Sequence, residues 1–385
     1  MVSNYNVQHR RYAHIVGWGM YVPERVLSND DLAAIIETSD EWIQARTGIR
    51  ERRFADERES AATLGLKAAQ RALEVTNILP SDIDLIVVAT STPESIFPST
   101  ASLVQHWLGA NNAGAFDLSA ACSGFVYGMD MAAQAIRSGS IETALVIGTE
   151  TMSRVMDWQD RSTCILFGDG AGAVVLRAGE RRAGVLASVL RSDGSGYDVL
   201  GIPTLGNTEI RSQNGVSNHK LHKMYMSGRE VFKFATRVIK TSVLEALDKA
   251  QVKLDEVKLI IPHQANMRII QAAARSLDIE PERFVHNLDR YGNTSAASIP
   301  IALCEALESG DINEGDYIVL IGFGGGLTWA SMVIRWSIPH AEDRQSKRYW
   351  RGRRRASYAI VKYKTLWRRF VDGLQSFLFG VEDEI

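Results

Sequence analysis

Two stretches of this 385-residue chain repeat one another. Ala135–Gly148 reads AIRSGSIETALVIG, and Ala306–Gly322 reads ALESGDINEGDYIVLIG. Each is a helix end, a Ser-Gly, a short turn and an apolar β-branched run that reads as a buried strand. Setting Ser138-Gly139 against Ser309-Gly310 gives an offset of 171, and walking back without gaps places Cys122 opposite Asn293. Upstream, Leu85–Thr90 falls roughly opposite Leu259–His263. A duplicated chain must build two like units around a shared centre. Chance similarity between two α/β segments is the competing explanation.

Between such runs lie helical patterns, Phe125–Ser138 and Ser298–Glu308 among them, and the alternation argues for an α/β protein with largely parallel sheets. With 45% hydrophobic and 23% charged residues, the chain has the means for a large core and is no disordered protein. Its 43 basic and 45 acidic side chains nearly cancel, so the molecule as a whole does not read as a nucleic-acid binder. Cys122, Cys164 and Cys304 are too few for a disulfide framework, and no Cys/His spacing supports a metal site. The first twenty residues lack a signal-peptide core and no run of about 18 apolar residues occurs, so a cytoplasmic setting is expected.

Three positions stand out chemically. In Ser119-Ala-Ala-Cys122-Ser-Gly124, a strand runs into small residues and then a helix, which places a cysteine at a helix start. Unpaired N–H groups and the helix dipole favour a thiolate nucleophile there. A buried, inert cysteine is an equally good reading of this segment alone. Cys164 and Cys304 have apolar neighbours and read as structural. His263 follows a buried strand directly, at the end where α/β sheets bind ligands. Asn293 lies in Tyr291-Gly-Asn-Thr-Ser295, another turn feeding a helix. Alone, each would be a satisfied core His or a helix cap; the duplication brings both towards Cys122.

Six motifs in order then carry a resemblance: TSDEWIQARTGIR (Thr38–Arg50), ACSG (Ala121–Gly124), FGDGAG (Phe167–Gly172), HQAN (His263–Asn266), YGNTS (Tyr291–Ser295) and FGGGLTW (Phe323–Trp329). From about Tyr12 to Trp336 the chain resembles the 3-oxoacyl-[acyl-carrier-protein] synthase III family of the thiolase-like superfamily. The resemblance implies a duplicated fold, a five-layer α-β-α-β-α sandwich, with one half over 12–182 and the other over 183–337. It implies a homodimeric acyltransferase that condenses a short acyl-CoA with malonyl-acyl carrier protein to start fatty acid synthesis, without a resident cofactor. Cys122, His263 and Asn293 would be the catalytic residues, with the N–H groups of Cys122 and Gly325 as oxyanion hole. Trp42 would stack on the adenine of coenzyme A with Arg161 on its other face, Arg46 would hold the phosphates, and Asn266, Met226, Gly228 and Phe232 would line the pantetheine tunnel. Phe323 would pack by the thiolate, and Phe97 would close the acyl pocket of the partner in the dimer. Gln264, Ala265, Asn266, Met267 and Arg268, with Lys233 and Arg275, match the surface that receives the acidic carrier. A synthase III-like acyltransferase of secondary metabolism with another acceptor is the alternative.

The remainder, 338–385, departs from the family. It is rich in arginine, and from Ser337 onward 11 basic residues meet 6 acidic ones. Ile360, Tyr363, Trp367, Phe370, Val371, Leu374, Phe377 and Leu378 share one helical face, beside Lys362, Lys364, Arg368 and Arg369. Such a basic amphipathic helix, over 358–379, can lie on a membrane, dock a partner or fold back onto its own dimer. The sequence leaves these open.

Overall fold

A computed structural model describes residues 11–204 and 220–337, together with single helical positions between 352 and 371. The first half builds a five-stranded sheet from β1 (Tyr12–Tyr21), β2 (Leu85–Ala89), β3 (Gly114–Leu118), β4 (Thr143–Thr151) and β5 (Asp169–Gly179), in the order β1-β5-β4-β2-β3. The second builds a four-stranded sheet from β6 (Gly184–Ser192), β7 (Val257–Pro262), β8 (Tyr317–Gly324) and β9 (Thr328–Arg335), in the order β7-β8-β9-β6. The pairings match strand for strand. β2 lies parallel to β4 as β7 does to β8, and β4-β5-β1 is antiparallel throughout, as is β8-β9-β6. Where β3 pairs with β2, the second half has only a single parallel bridge from Ile260 to Phe284. The sheets are therefore mixed rather than largely parallel. A three-residue turn joins β8 to β9, too short for a crossover helix, so β9 must run back antiparallel.

The helices that matter are α1 (Asp40–Thr47), α2 (Ala61–Glu74), α3 (Thr100–Leu108), α4 (Gly124–Arg137), α5 (Gly228–Ala250), α6 (Met267–Leu277) and α7 (Ser298–Glu308). Helix α2 begins at a capping box, with the Ser60 hydroxyl accepting from Thr63 N and the Thr63 hydroxyl taking the Ser60 N–H. Its buried Leu64, Ala68 and Leu73 meet Ile86, Val88, Leu145 and Ile147 on one face of the first sheet, together with Val104 and Leu108 of α3. Helices α4 and α7 fill the centre. Phe125, Met129 and Ile136 of α4 and Ile299 and Leu303 of α7 lie between Val146 and Leu176 of one sheet and Ile318, Leu320 and Met332 of the other. Ala235, Val238 and Val243 of α5 and Ile269 of α6 cover the far face on Val319, Ile321 and Val333. Five layers result, as the family resemblance implies. Each large aliphatic side chain so buried is worth about 1.5–3 kcal/mol.

The duplication also has a register, and it corrects the ungapped alignment. Ala121 and Ser295 both adopt a left-handed backbone, with φ of 46° and 48°, and each opens a 3-10 turn leading into α4 or α7. The offset at these elbows is 174, so Cys122 is matched by Ala296 and not by Asn293. The difference of three arises because α4 has 14 residues and α7 has 11. Each elbow rests on a glycine of the opposite half. A Cβ on Gly148 of β4 would lie 2.3 Å from the Ala296 carbonyl oxygen, and one on Gly322 of β8 would lie 2.8 Å from the Ser123 Cα.

Of the tail, Lys362, Lys364, Arg368, Arg369, Phe370, Leu374, Phe377 and Leu378 lie outside the described residues. Arg354 is buried and donates to the Thr76 carbonyl at 2.7 Å, and Tyr358 packs against the α2–α3 layer. Ile360, Tyr363 and Trp367 are exposed. Among the described residues no helix is long and apolar enough to cross a membrane.

The reciprocal glycine contacts give a direct test. Gly148→Ala forces a methyl group into backbone, which costs about 1–3 kcal/mol or more. It should lower the melting temperature measurably or abolish soluble expression. Gly194→Ala is the control, since a Cβ there has nothing within 4 Å and should leave the melting temperature unchanged.

Candidate active site

Both halves deliver their chemistry to one cavity of about 710 Å³. At its buried end lie Cys122, His263, Asn293, Phe167, Phe323 and Gly324. The elbow brings Cys122 there, and the closeness of β8 depends on glycine. A Cβ on Gly324 would stand 2.8 Å from the Cys122 nitrogen and 3.2 Å from its Sγ. Gly325, next in line, borders the elbow at Ala121 instead, and its Cα faces the Leu200 carbonyl.

His263 follows β7, where its backbone N–H donates to the Ile321 carbonyl of β8 at 2.8 Å. Its ring meets Phe323 edge to face, with centroids 5.2 Å apart. Burial pulls its pKa down to about 3, so the imidazole is neutral over the whole physiological range. Asn293 is held from both sides by backbone, donating to Leu166 O at 2.8 Å and accepting from Gly168 N at 3.0 Å. Its Oδ1 accepts from Ser295 N at 2.9 Å, which settles the orientation of the amide and leaves Nδ2 for the cavity. The site thus offers two neutral N–H donors beside one sulfur.

Cys122 differs from the thiolate expected at a helix start. Burial, with the charge of Glu150 nearby, pushes its pKa up to about 12, so the resting group is a thiol. Only Ser123 separates it from the first turn of α4, and desolvation outweighs the dipole there. Cys164 and Cys304 are buried and do not line the cavity, in keeping with a structural role.

The exposed end of the cavity carries Trp42, Arg46, Arg229, Lys233 and Arg268. The guanidinium carbons of Arg46 and Arg161 lie 4.9 Å and 5.0 Å from the centre of the Trp42 ring, so both flank the indole. Met226, Gly228, Phe232, Ala265 and Asn266 line the passage between the two ends. Asn266 caps α6, its Oδ1 accepting from Arg268 N, and its Nδ2 donates to the Arg46 carbonyl, with one amide hydrogen to spare. Met267 is half-buried, and Lys233 and Arg275 are exposed on the same side of the molecule as α5 and α6.

Phe97 and Gln264, both expected to meet another chain, do not line the cavity. Phe97 is 84% exposed. Gln264 is buried, its Nε2 donating to Pro262 O and Val285 O and its Oε1 accepting from Asn287 N. With its polar atoms consumed internally, Gln264 braces the loop and is no docking residue. Sequence reasoning missed Arg229, whose cue was its place next to Gly228 at the start of α5. It also missed Ser295 and Glu150, which lie directly behind the nucleophile. Ser295 stood within a quoted motif, whereas nothing around Glu150 marks it.

Comparison with known proteins agrees with this arrangement. The model of 3-oxoacyl-[acyl-carrier-protein (ACP)] synthase III matches residues 116–194, and that of its C-terminal region matches 247–336. A beta-ketoacyl-[acyl-carrier-protein] synthase III of Roseiflexus sp. is 50% identical over 326 residues, covering 85% of this chain and 99% of the relative. The crystal structure of the 3-oxoacyl-[acyl-carrier-protein] synthase III from Aquifex aeolicus superposes with a TM-score of 0.78 at 48% identity, over 84% of this chain and 100% of that one. The priming beta-ketosynthase of the R1128 polyketide pathway gives 0.79 at 36% identity, over 87% and 99%. With half the aligned residues identical across nearly the whole length of such a relative, and with the same folded core, this chain belongs to the 3-oxoacyl-[acyl-carrier-protein] synthase III family.

Proposed function

We propose that the protein catalyses the decarboxylating Claisen condensation of a short acyl-CoA with malonyl-acyl carrier protein, giving 3-oxoacyl-acyl carrier protein and initiating fatty acid synthesis. The observation that carries this reading is the convergence of Cys122, His263 and Asn293 at the buried end of a cavity with a basic mouth. Cys122 takes the acyl group from coenzyme A, with the N–H groups of Cys122 and Gly325 receiving the negative oxygen. Loss of carbon dioxide from the malonyl group then leaves an enolate. An imidazole N–H of His263 and Nδ2 of Asn293 hold its oxygen, and both are neutral donors, as an anion in a dry site requires. The enolate carbon attacks the acyl carbon and Cys122 departs. Identity of 50% to a curated synthase III, against 36% to the polyketide priming enzyme, favours fatty acid synthesis over secondary metabolism.

At the mouth, Trp42 and Arg161 would part to admit adenine between them, and Arg46 would meet the phosphates. The basic side chains Lys233, Arg268 and Arg275, with Ala265, Asn266 and Met267, would receive the acidic carrier through charge steering. Homodimer formation is supported by β3, an edge strand on which Phe116 is exposed, and by the exposed Ile96-Phe97 pair. Phe97 would then enter the partner's acyl pocket. Three unpaired cysteines accord with a cytoplasmic setting. The tail, anchored at Arg354 and Tyr358, would bring Ile360, Tyr363 and Trp367 to an anionic membrane surface.

Three measurements test this reading. Cys122→Ala should abolish acyl-enzyme seen by mass spectrometry, while His263→Ala and Asn293→Ala should still accept an acyl group yet lose decarboxylation roughly a hundredfold each. Unchanged decarboxylation in both would refute the enolate role. Because burial keeps His263 neutral to about pH 3, the rate of malonyl decarboxylation should show no acid limb near the free imidazole pKa of 6.5; a fall of about tenfold per pH unit below it would contradict the neutral donor. Truncation after Trp336 should leave condensation near normal. The full chain should co-sediment with anionic vesicles in low salt and the truncated chain should not; equal sedimentation would sink the membrane contact.

A further inference from the structure

Behind the nucleophile runs a chain of hydrogen bonds that the condensation as described does not use. Cys122 Sγ lies 3.5 Å from Ser295 Oγ, and Ser295 Oγ donates to Glu150 Oε1 at 2.9 Å. Glu150, near the end of β4, has no solvent exposure. Its carboxylate also accepts from Thr92 Oγ1 at 2.7 Å, Ser91 N at 3.0 Å, Thr90 Oγ1 at 3.3 Å and Ala296 N at 3.4 Å. Every partner is a donor, and they come from both halves of the duplication. That set fixes the direction of the chain. Burial pushes the Glu150 pKa up, while the donors around it favour the ionised carboxylate, which only accepts; a serine hydroxyl has one hydrogen, so Ser295 gives that hydrogen to Glu150 and receives the thiol hydrogen of Cys122. The sulfur lone pairs are thereby turned to the cavity.

Taking Cys122 as the acylated residue, we propose that Ser295 and Glu150 form a relay that holds the Cys122 proton during the acyl-enzyme stage. On acylation, a bond forms between Sγ and the acyl carbon, and the bond from that carbon to the coenzyme A sulfur breaks. The coenzyme leaves as a thiolate and takes a proton from solvent. Meanwhile the Sγ hydrogen moves to Ser295 Oγ as the Ser295 hydrogen moves to Glu150 Oε1. On condensation the enolate carbon bonds to the acyl carbon, and the S–C bond breaks with its electron pair on Sγ. The two hydrogens then return, leaving Cys122 a thiol and Glu150 a carboxylate.

The electrostatics require some such partner. A thiolate beside an ionised, equally buried Glu150 would place two negative charges in a low-dielectric interior, whereas moving the proton between them keeps a single charge throughout. His263 is a poor proton acceptor in this environment, because burial already holds it neutral. Glu150 is the one charged side chain that acts on the Cys122 thiol among the described residues, and the groups around it (Thr90, Thr92 and Ser295) carry no charge.

Three variants test the relay: Glu150→Gln, Ser295→Ala and the conservative Glu150→Asp. Two readouts apply, release of coenzyme A in a single turnover without malonyl-carrier, and inactivation of Cys122 by iodoacetamide across pH 6–10. With the relay, the wild-type inactivation rate is flat over the middle of that range, since the proton moves within the pair. In Glu150→Gln and Ser295→Ala the proton must leave to solvent. Acylation at pH 7 should fall about ten- to a hundredfold with the KM for acyl-CoA unchanged, and inactivation should climb about tenfold per pH unit. Glu150→Asp should recover part of the flat profile. If Glu150→Gln fails to fold, Ser295→Ala, which removes one oxygen and keeps the backbone, decides. A folded Ser295→Ala enzyme with the wild-type rate and pH profile overturns the relay. Absence of acylation in the wild type would instead overturn the functional reading on which it rests.

Discussion

The structure depends on a backbone-to-backbone contact between two elbows and two strands. Gly148 admits the Ala296 carbonyl, and Gly322 admits Ser123, each from the other half of the chain. No side chain could stand in either place. The contact presses the central helices together and fixes where the strand ends meet. Three consequences follow at one point: Cys122 is exposed to a cavity, His263 arrives at the end of β7, and Asn293 is clamped by Leu166 and Gly168. A packed interior transmits small displacements, so widening this contact would move every reacting group at once.

Electrostatics at the centre follows from that closeness. The same burial acts in opposite directions on the groups there. It keeps the imidazole uncharged and the thiol protonated, and it pushes the Glu150 carboxyl pKa up, against the donors around it that favour the ionised form. Charge that develops during the reaction meets N–H groups already in position. Water need not reorganise around it.

Much of this was legible in the residues. The repeat around Ser138-Gly139 and Ser309-Gly310 gave the two halves, and the motif residues proved to gather at one cavity. What escaped was the three-residue difference between α4 and α7. Three residues are close to one helical turn of 3.6, so their removal leaves the apolar pattern intact and no break shows in the sequence. Gln264 misled for another reason. A polar residue between His263 and Asn266 reads as surface, and only the packed loop shows its amide spent on Pro262, Val285 and Asn287. Glu150 was invisible because a carboxylate within an apolar strand has no local signature, and its partners lie about 60 and 145 residues away in the chain.

Consider finally what stands at Ala296. In the first half that place holds the nucleophile, whereas in the second a methyl group occupies it and the neighbouring Ser295 turns towards Cys122. Two equivalent elbows could have made two weak sites, each short of supporting groups. Silencing one of them converts symmetry into division of labour: the silent elbow becomes scaffolding for the reactive one. Among the described residues the two halves share one packed interior through the central helices. Variety in the acyl groups accepted must come from side chains along the passage, which can change without disturbing the clamp at the centre.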